Sequence, residues 1–235
     1  MGLGKTLKTS RSLRAAIIVA GGFILLPYAL LPFYNFINPV STLMVWRWVT
    51  GQRVERTFVP LRQIAPALPL SVIVAEDGRY CGHHGVDFQE LRGIVEDAEA
   101  FEDLRGGSTV TQQVVKNLFL WQGRSVVRKL LELPLALWAD LVLPKRRIME
   151  IYLNIAEWGP NGQFGAEAGA RFAFGKSARQ LGNSEAALLA AILPNPKARS
   201  ARQPRNEVRR LAGIYAARAA RTAWAGDCVR VRRGP

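Results

Sequence analysis

Two carboxylates and one glycine-led helix start are the residues of this chain best suited to chemistry. The stretch Gly106-Gly107-Ser108-Thr109-Val110-Thr111-Gln112-Gln113-Val114-Val115-Lys116-Asn117 joins a tight backbone turn to a polar helix entry. Ser108 is read as the N-cap of that helix. A helix start presents unpaired N–H groups and a partial positive charge, which suits an anion. Lys116 and Arg124 add cations close to that end. Glu76 and Glu132 bracket the turn in sequence. Displacement at a sugar carbon uses such a pair, one carboxylate as base and one to manage the leaving group. A phosphate-bearing leaving group calls instead for cations and helix N–H groups. Both kinds of group fall between residues 76 and 132. Taken alone, the same residues also fit a capped core helix and ordinary surface glutamates.

The elements that would position these groups read as helices. Val59 to Tyr80 has apolar residues at helical spacing, with Pro66 and Pro69 near its start. That helix delivers Glu76 and Asp77 at its C-terminal end, where acids oppose the helix dipole, a local cost of the kind found at functional sites. Val86 to Glu102 is a second helical pattern, and the Gly106 turn opens a third. Ser125 to Leu143 is long, apolar and helical. Arg124, Arg128 and Glu132 recur there every four residues and share one face. Read alone, that face is a surface ion-pair ladder. Lys145 to Asn154 is a basic-then-apolar helix. Gly159 to Gly175 is loop-like and then helical. Asn183 to Leu193 is a short apolar helix stopped by Pro194 and Pro196. No sustained two-residue alternation marks a sheet, so the fold class expected for the soluble part is mainly α.

The chain of 235 residues carries a formal charge of +14, unevenly spread. No acid precedes Glu55, while Lys5, Lys8, Arg11 and Arg14 precede an uncharged run from Ala15 to about Tyr34. A run of about twenty such residues crosses a bilayer as a helix, and Pro27 and Pro32 are tolerated there. The basic flank keeps the N-terminus in the cytoplasm. A cleaved signal peptide is the rival reading, disfavoured by the length of the run and the lack of a small-residue cleavage site. Trp46 and Trp48, beside Arg47, suit a membrane-surface connector as well as ordinary packing. The Arg-rich stretch after Lys197 suits an anionic surface, nucleic acid or plain solvation. Cys81 and Cys228 make no disulfide framework, and a single bridge between them is left open. Cys81, His83 and His84 lie close in sequence, but two cysteines and two histidines in the whole chain are too few to favour a structural zinc. His83 is read as orienting its loop by hydrogen bonding. The opening Met1-Gly2-Leu3-Gly4-Lys5-Thr6 imitates a P-loop and a myristoylation signal without the context either needs.

Five ordered motifs carry a resemblance. Glu76-Asp77-Gly78-Arg79-Tyr80-Cys81-Gly82-His83-His84-Gly85 resembles the first motif of the peptidoglycan glycosyltransferases, E-D-x-x-F-x-x-H-x-G. Gly107-Ser108-Thr109-Val110-Thr111-Gln112-Gln113 with Lys116-Asn117-Leu118 is similar to the second, G-S-T-I-T-Q-Q-x-x-K-N-L. Arg128-Lys129-Leu130-Leu131-Glu132 fits the third, R-K-x-x-E, and residues 145–154 the fourth, K-x-x-I-L-E-x-Y-L-N, with Glu150 and Asn154 in place. The fifth falls on Leu181 to Ala190 around Glu185. Tyr80 and Met149 replace the usual Phe and Leu, and Pro134 close to Glu132 is less usual and bears on how that helix runs. The single anchor and short length resemble the monofunctional members. No S-x-x-K or K-T-G of the bifunctional penicillin-binding relatives occurs.

The resemblance implies a lysozyme-like helical head with a smaller membrane-associated jaw, the jaw drawn from residues 37–58 and the region after Gln122, plus one N-terminal transmembrane helix. It implies this organisation: residues 1–14 a cytoplasmic basic tail, 15–36 the transmembrane helix, 37–58 a membrane-proximal connector, 59–222 the glycosyltransferase domain and 223–235 a basic tail. The family polymerises lipid II, a disaccharide-pentapeptide on undecaprenyl pyrophosphate, in the bacterial inner membrane with the catalytic domain in the periplasm. Glu76 fits the general base and Glu132 the second carboxylate, which positions the pyrophosphate directly or through a divalent cation, magnesium or manganese. No organic cofactor is implied. Lys116 and Arg124 fit the stabilisers of the pyrophosphate, Ser108, Gln112 and Gln113 line the groove, and Arg128 steadies Glu132. Asp77, His83, Gly107, Thr109, Glu150, Asn154 and Glu185 are motif residues with structural parts. Expected partners are lipid II, the nascent lipid-linked glycan, the membrane and other cell-wall synthesis or division proteins, with no nucleic acid. The rival readings are a lysozyme-like hydrolase or lytic transglycosylase, which would not need Lys116 and Arg124, and a non-enzymatic anchored scaffold.

Overall fold

The computed structural model describes residues 11–97, 107–123 and 125–230. Arg124 and Gly106 lie outside the described residues, as does the end of the second helical pattern, to Glu102. The described chain is mainly helical. It opens with α1 (Arg11–Leu30), whose side chains at Ile17, Ile18, Phe23 and Ile24 face outward. The apolar stretch Leu13–Asn35 spans 23 residues. At 1.5 Å per residue it is about 35 Å long, enough for one membrane crossing. Pro27 sits inside the helix without ending it.

The exit of this anchor is pinned to the head. Asn35 Nδ2 donates to Val142 O at 2.9 Å, and Arg147 donates to the carbonyls of Tyr34 and Ile37, both at 2.7 Å. Next comes α2 (Thr42–Val49), capped by Ser41, which buries Met44 and Arg47 and exposes Val45, Trp46, Trp48 and Val49. Arg47 Nη2 meets Glu157 Oε1 at 2.5 Å, both side chains largely buried, so one ion pair fixes the helix against the head.

A two-residue parallel pair, β1 (Glu55–Arg56) with β2 (Gln163–Phe164), is the only sheet among the described residues. The helix expected from Val59 begins later: α3 spans Ala67–Glu76. Residues 59–66 form turns because Pro60 and Pro66 cannot donate to a helical ladder. Buried Leu68, Val72 and Ile73 make α3 a central strut of the core. The remaining helices are α4 (Phe88–Asp97), α5 (Val110–Phe119), α6 (Val126–Val142), α7 (Lys145–Ile155), α8 (Ala166–Phe174), α9 (Asn183–Ile192) and α10 (Asn206–Arg221). α6 runs through Pro134 as one helix with Ser125 as its N-cap. α9 and α10 pack on each other and on α3.

The basic tail expected from residue 223 is packed structure as far as Val229. A 3-10 turn over Ala223–Val229 buries Ala225 and Val229 against α3, and Cys228 is disulfide-bonded to Cys81. The bridge left open by the sequence therefore forms, and Cys81 has no thiol left for a metal.

Candidate active site

Glu76 is the last residue of α3, half-buried where the helix stops. Asp77 ends the helix by leaving the helical region, with φ −161° and ψ 72°. Glu76 Oε2 accepts a 2.8 Å hydrogen bond from Gln113 Nε2, and Gln113 Oε1 in turn accepts from Tyr152 OH at 3.0 Å. Tyr152, buried in α7, thus fixes which way the Gln113 amide faces. Burial raises the Glu76 carboxyl above the ordinary carboxylate range, and the Gln113 bond and the charges of Lys116 and Arg199 oppose that rise without cancelling it. The result is a reachable carboxyl held more basic than a surface glutamate.

Asp77 points the other way, into the core, at 4% exposure. Its Oδ2 accepts from Val110 N at 2.9 Å, so the acid next to Glu76 caps the first turn of α5. Its Oδ1 lies 2.8 Å from His83 Nε2. The first and second motifs are thereby one hydrogen-bonded unit. The N-cap of α5 is Thr109, not Ser108 as the sequence suggests. Thr109 Oγ1 accepts from Gln112 N at 3.1 Å, and Gln112 Oε1 accepts from Thr109 N at 3.0 Å. This capping box needs Gln or Glu three residues after the cap, which Thr109 has and Ser108 lacks. Thr109 also donates to Gly85 O at 2.6 Å. Gly85 has φ +76°, and a Cβ there would meet Ala136 O at 2.2 Å. Only glycine lets the first-motif loop lie directly on α6. Gly107, at φ +63°, makes the turn into α5.

Lys116 projects from α5 between the two acids. Burial lowers its ammonium below the usual range, while Glu132 and Glu76 both pull it back up. Glu132 on α6 is 2% exposed. Arg128, one turn earlier, pairs with its Oε1, and Lys129 Nζ lies 3.6 Å from its Oε2. Lys129 also donates to Ser108 Oγ at 2.8 Å and reaches Gln112 Oε1 at 3.4 Å. Ser108 and Gln112 are thus brought to Glu132 through Lys129. Burial lowers the Lys129 ammonium too. Three cations, Lys116, Arg128 and Lys129, converge beside one buried carboxylate.

Glu150, Asn154 and Glu185 stand outside this cluster. Glu150 Oε2 accepts from Leu61 N at 2.6 Å and pairs with Arg147. Asn154 bonds both Val59 N and Val59 O at 2.9 Å, locking residues 59–61 onto α7. Glu185 caps α9 through Gly182 N at 2.9 Å and pairs with Lys176. Sequence reasoning singled out none of Lys129, Tyr152 and Arg199. Lys129 had a legible signal, since it lies three residues before Glu132 on a helix and shares its face.

Residues 43–219 match the transglycosylase family. A biosynthetic peptidoglycan transglycosylase of Rhodopseudomonas palustris (strain TIE-1) is 58% identical over 226 residues, covering 96% of this chain and 95% of the relative. Relatives of the same name from Nitrobacter hamburgensis and Rhizobium meliloti are 57% and 49% identical, each covering 95% of this chain and 99% and 96% of their own lengths. The chain belongs to the peptidoglycan glycosyltransferase family. It is an enzyme of glycosyl transfer in cell-wall biosynthesis, with the mainly helical, lysozyme-like fold of that family and one helix near its N-terminus long and apolar enough to cross a membrane once.

For a peptidoglycan glycosyltransferase, the two ends of the cluster differ in character. Glu76 has one neutral partner, Gln113, and an open side. Glu132 has cations on both oxygens. That arrangement is a poor cradle for a divalent metal, because Arg128 and Lys129 already occupy the Glu132 oxygens and would repel a second cation.

Proposed function

We propose that this enzyme builds glycan strands from lipid II, with Glu76 as general base and the Lys116–Arg128–Lys129 cluster around Glu132 as the seat of the pyrophosphate. The GlcNAc 4-hydroxyl of one lipid II attacks the MurNAc anomeric carbon of the growing lipid-linked chain. Its proton passes to the Glu76 carboxylate as the new carbon–oxygen bond forms. The bond from the anomeric carbon to the pyrophosphate breaks on the opposite face, undecaprenyl pyrophosphate leaves, and the linkage becomes β-1,4 with inversion.

The observation that carries the reading is the asymmetry of the two carboxyls. A base works best when its pKa lies near the operating pH, and burial moves Glu76 in that direction. A leaving group that gains negative charge needs fixed cations in a partly dry site, and Lys116 and Lys129 are both half-buried there. Glu132 sets the spacing of those cations. Arg124, outside the described residues, remains a proposed member of the same seat on sequence grounds.

The substrate's lipid tail keeps the reaction at the membrane. Phe33, Phe36, Trp46, Trp48, Trp121, Val126 and Leu130 are exposed large apolar side chains on α2 and around the anchor exit and the start of α6, an amount of exposed apolar surface that marks membrane contact. We assign Trp46, Trp48, Val126 and Leu130 to the jaw expected from residues 37–58 and the region after Gln122, with Phe33, Phe36 and Trp121 flanking it in sequence. The basic N-terminal flank favours a cytoplasmic N-terminus, and the Cys81–Cys228 bridge favours an oxidising compartment for the head, the periplasm.

The test is polymerisation of labelled lipid II by detergent-solubilised protein beside Glu76→Gln and Glu132→Gln. Polymer from the parent and none from either variant is expected. Failure of the folded parent across metals and detergents would reject the reading.

A further inference from the structure

Beyond the cluster, a cavity of about 540 Å³ opens where α9 gives way to α10, within the size range of small-ligand sites. Its polar lining is Asn195, Arg199, Ser200, Gln203, Arg205 and Glu207. Two arginines against one glutamate leave the lining net cationic. The segment that carries it follows the last family motif.

Arg199 ties the cavity lining to the helices around Glu76. Arg199 Nη1 donates to Ala191 O on α9 at 3.1 Å, and its Nη2 meets Glu207 Oε1 on α10 at 2.9 Å. Both helices pack on α3, at whose end Glu76 stands. The Arg199 guanidinium is close enough for its charge to act on the Glu76 carboxyl, and Tyr215 of α10 feels Glu76, Arg199 and Arg218 alike. Arg199 is thus shared between the base and the cavity, and it is held in place from two sides. Arg205 stands exposed at the cavity's edge.

We infer that this cavity binds the acidic peptide stem of the acceptor substrate, with Arg205 and Arg199 facing its carboxylates and Asn195 and Gln203 its amides. The inference rests on the reaction proposed above. The acceptor hydroxyl sits at Glu76, and the peptide hangs from the next sugar along. A five-residue stem reaches roughly 17 Å when extended, so a cavity lined by Arg199, whose charge is felt at Glu76, is within its span. Guanidinium groups match carboxylates in planar, paired hydrogen bonds. The cavity would therefore read the stem's charge and select which precursor is accepted.

Full-length protein in detergent would be titrated calorimetrically with three lipid-free ligands: the disaccharide-pentapeptide, the same compound with its carboxyls amidated, and the bare disaccharide. The intact compound is expected to bind about tenfold more tightly than the other two, the effect of one charge-assisted hydrogen bond. Arg205→Ala should bring all three to similar affinity; the side chain is exposed, so its truncation empties no core. Equal affinities in the parent, or a preference that survives in Arg205→Ala, would overturn the assignment. Polymerisation of lipid II by the same preparation keeps the two readings apart. Polymer without stem preference rejects the cavity alone, and no polymer rejects the reaction beneath it.

Discussion

Glu76 is held where its charge is costly. Its carboxyl is raised by burial, so between the ordinary carboxylate pKa and its own the folded protein keeps a proton that the unfolded chain has released. Stability therefore falls as pH rises through that window, and the cost is fully present above it. Glu76→Gln removes the cost and retains a group able to bond Gln113. The variant should lose polymerisation yet melt at or above the parent temperature near neutral pH, with the difference closing in acid. A lower melting temperature at neutral pH would show that Glu76 is structural. On the acid side, the parent's activity should decline at a pH above the usual carboxylate range, seen in a pH–rate profile. Lys129 belongs to the same scale. It joins Ser108, Gln112 and Glu132, and Lys129→Met keeps its length without the charge. We expect kcat to fall about a hundredfold, the order found when one fixed donor to a developing charge is removed. A change confined to KM would place Lys129 in binding alone.

The helices deliver these groups through their ends, and the ends are where apolar spacing carries least information. Asp77 joins two motifs by capping α5 from α3. Asp77→Ala would strand Val110 N and His83 Nε2 in the core and should cost about 2–4 kcal/mol, measured by denaturant unfolding, with activity lost alongside. The existence of α5, α6, α7 and α9 was legible because apolar residues recur at helical spacing and each start or stop carries a polar cap or a proline. The choice of Thr109 over Ser108 as cap is legible in the spacing to Gln112, three residues on. The start of α3 was misplaced because apolar spacing continues through residues 59–66, whose backbone goes instead to Asn154 and Glu150 on α7. Those partners are some ninety residues away, and periodicity cannot see them. α10 hid in a stretch dominated by arginine, though Val208, Leu211, Ala212 and Tyr215 keep a helical stripe. The functional pairings came from motif resemblance. Physical reading alone left Glu76 and Glu132 as ordinary glutamates.

At the scale of the whole molecule, the 3-10 turn at Ala223–Val229 closes the fold onto its own active end. Cys81 lies five residues after Glu76, and its bridge to Cys228 spans 147 residues of sequence. Closing so long a loop removes much of the unfolded chain's freedom, and a bridge of this kind is worth about 2–5 kcal/mol. Replacing both cysteines by serine avoids an unmatched thiol. The double variant should lose stability of that order. Reductant should bring the parent down to the variant's melting temperature and leave the variant unmoved. The same bridge reports on topology. Protein taken from intact membranes under thiol-alkylating conditions should carry no label at Cys81 or Cys228 until reduced, as an oxidising compartment requires. Label at both sites in unreduced, folded protein would place the head on the reducing side of the membrane. It would then leave the enzyme facing away from the growing wall, with the basic flank at Lys5, Lys8, Arg11 and Arg14 on the opposite, oxidising side.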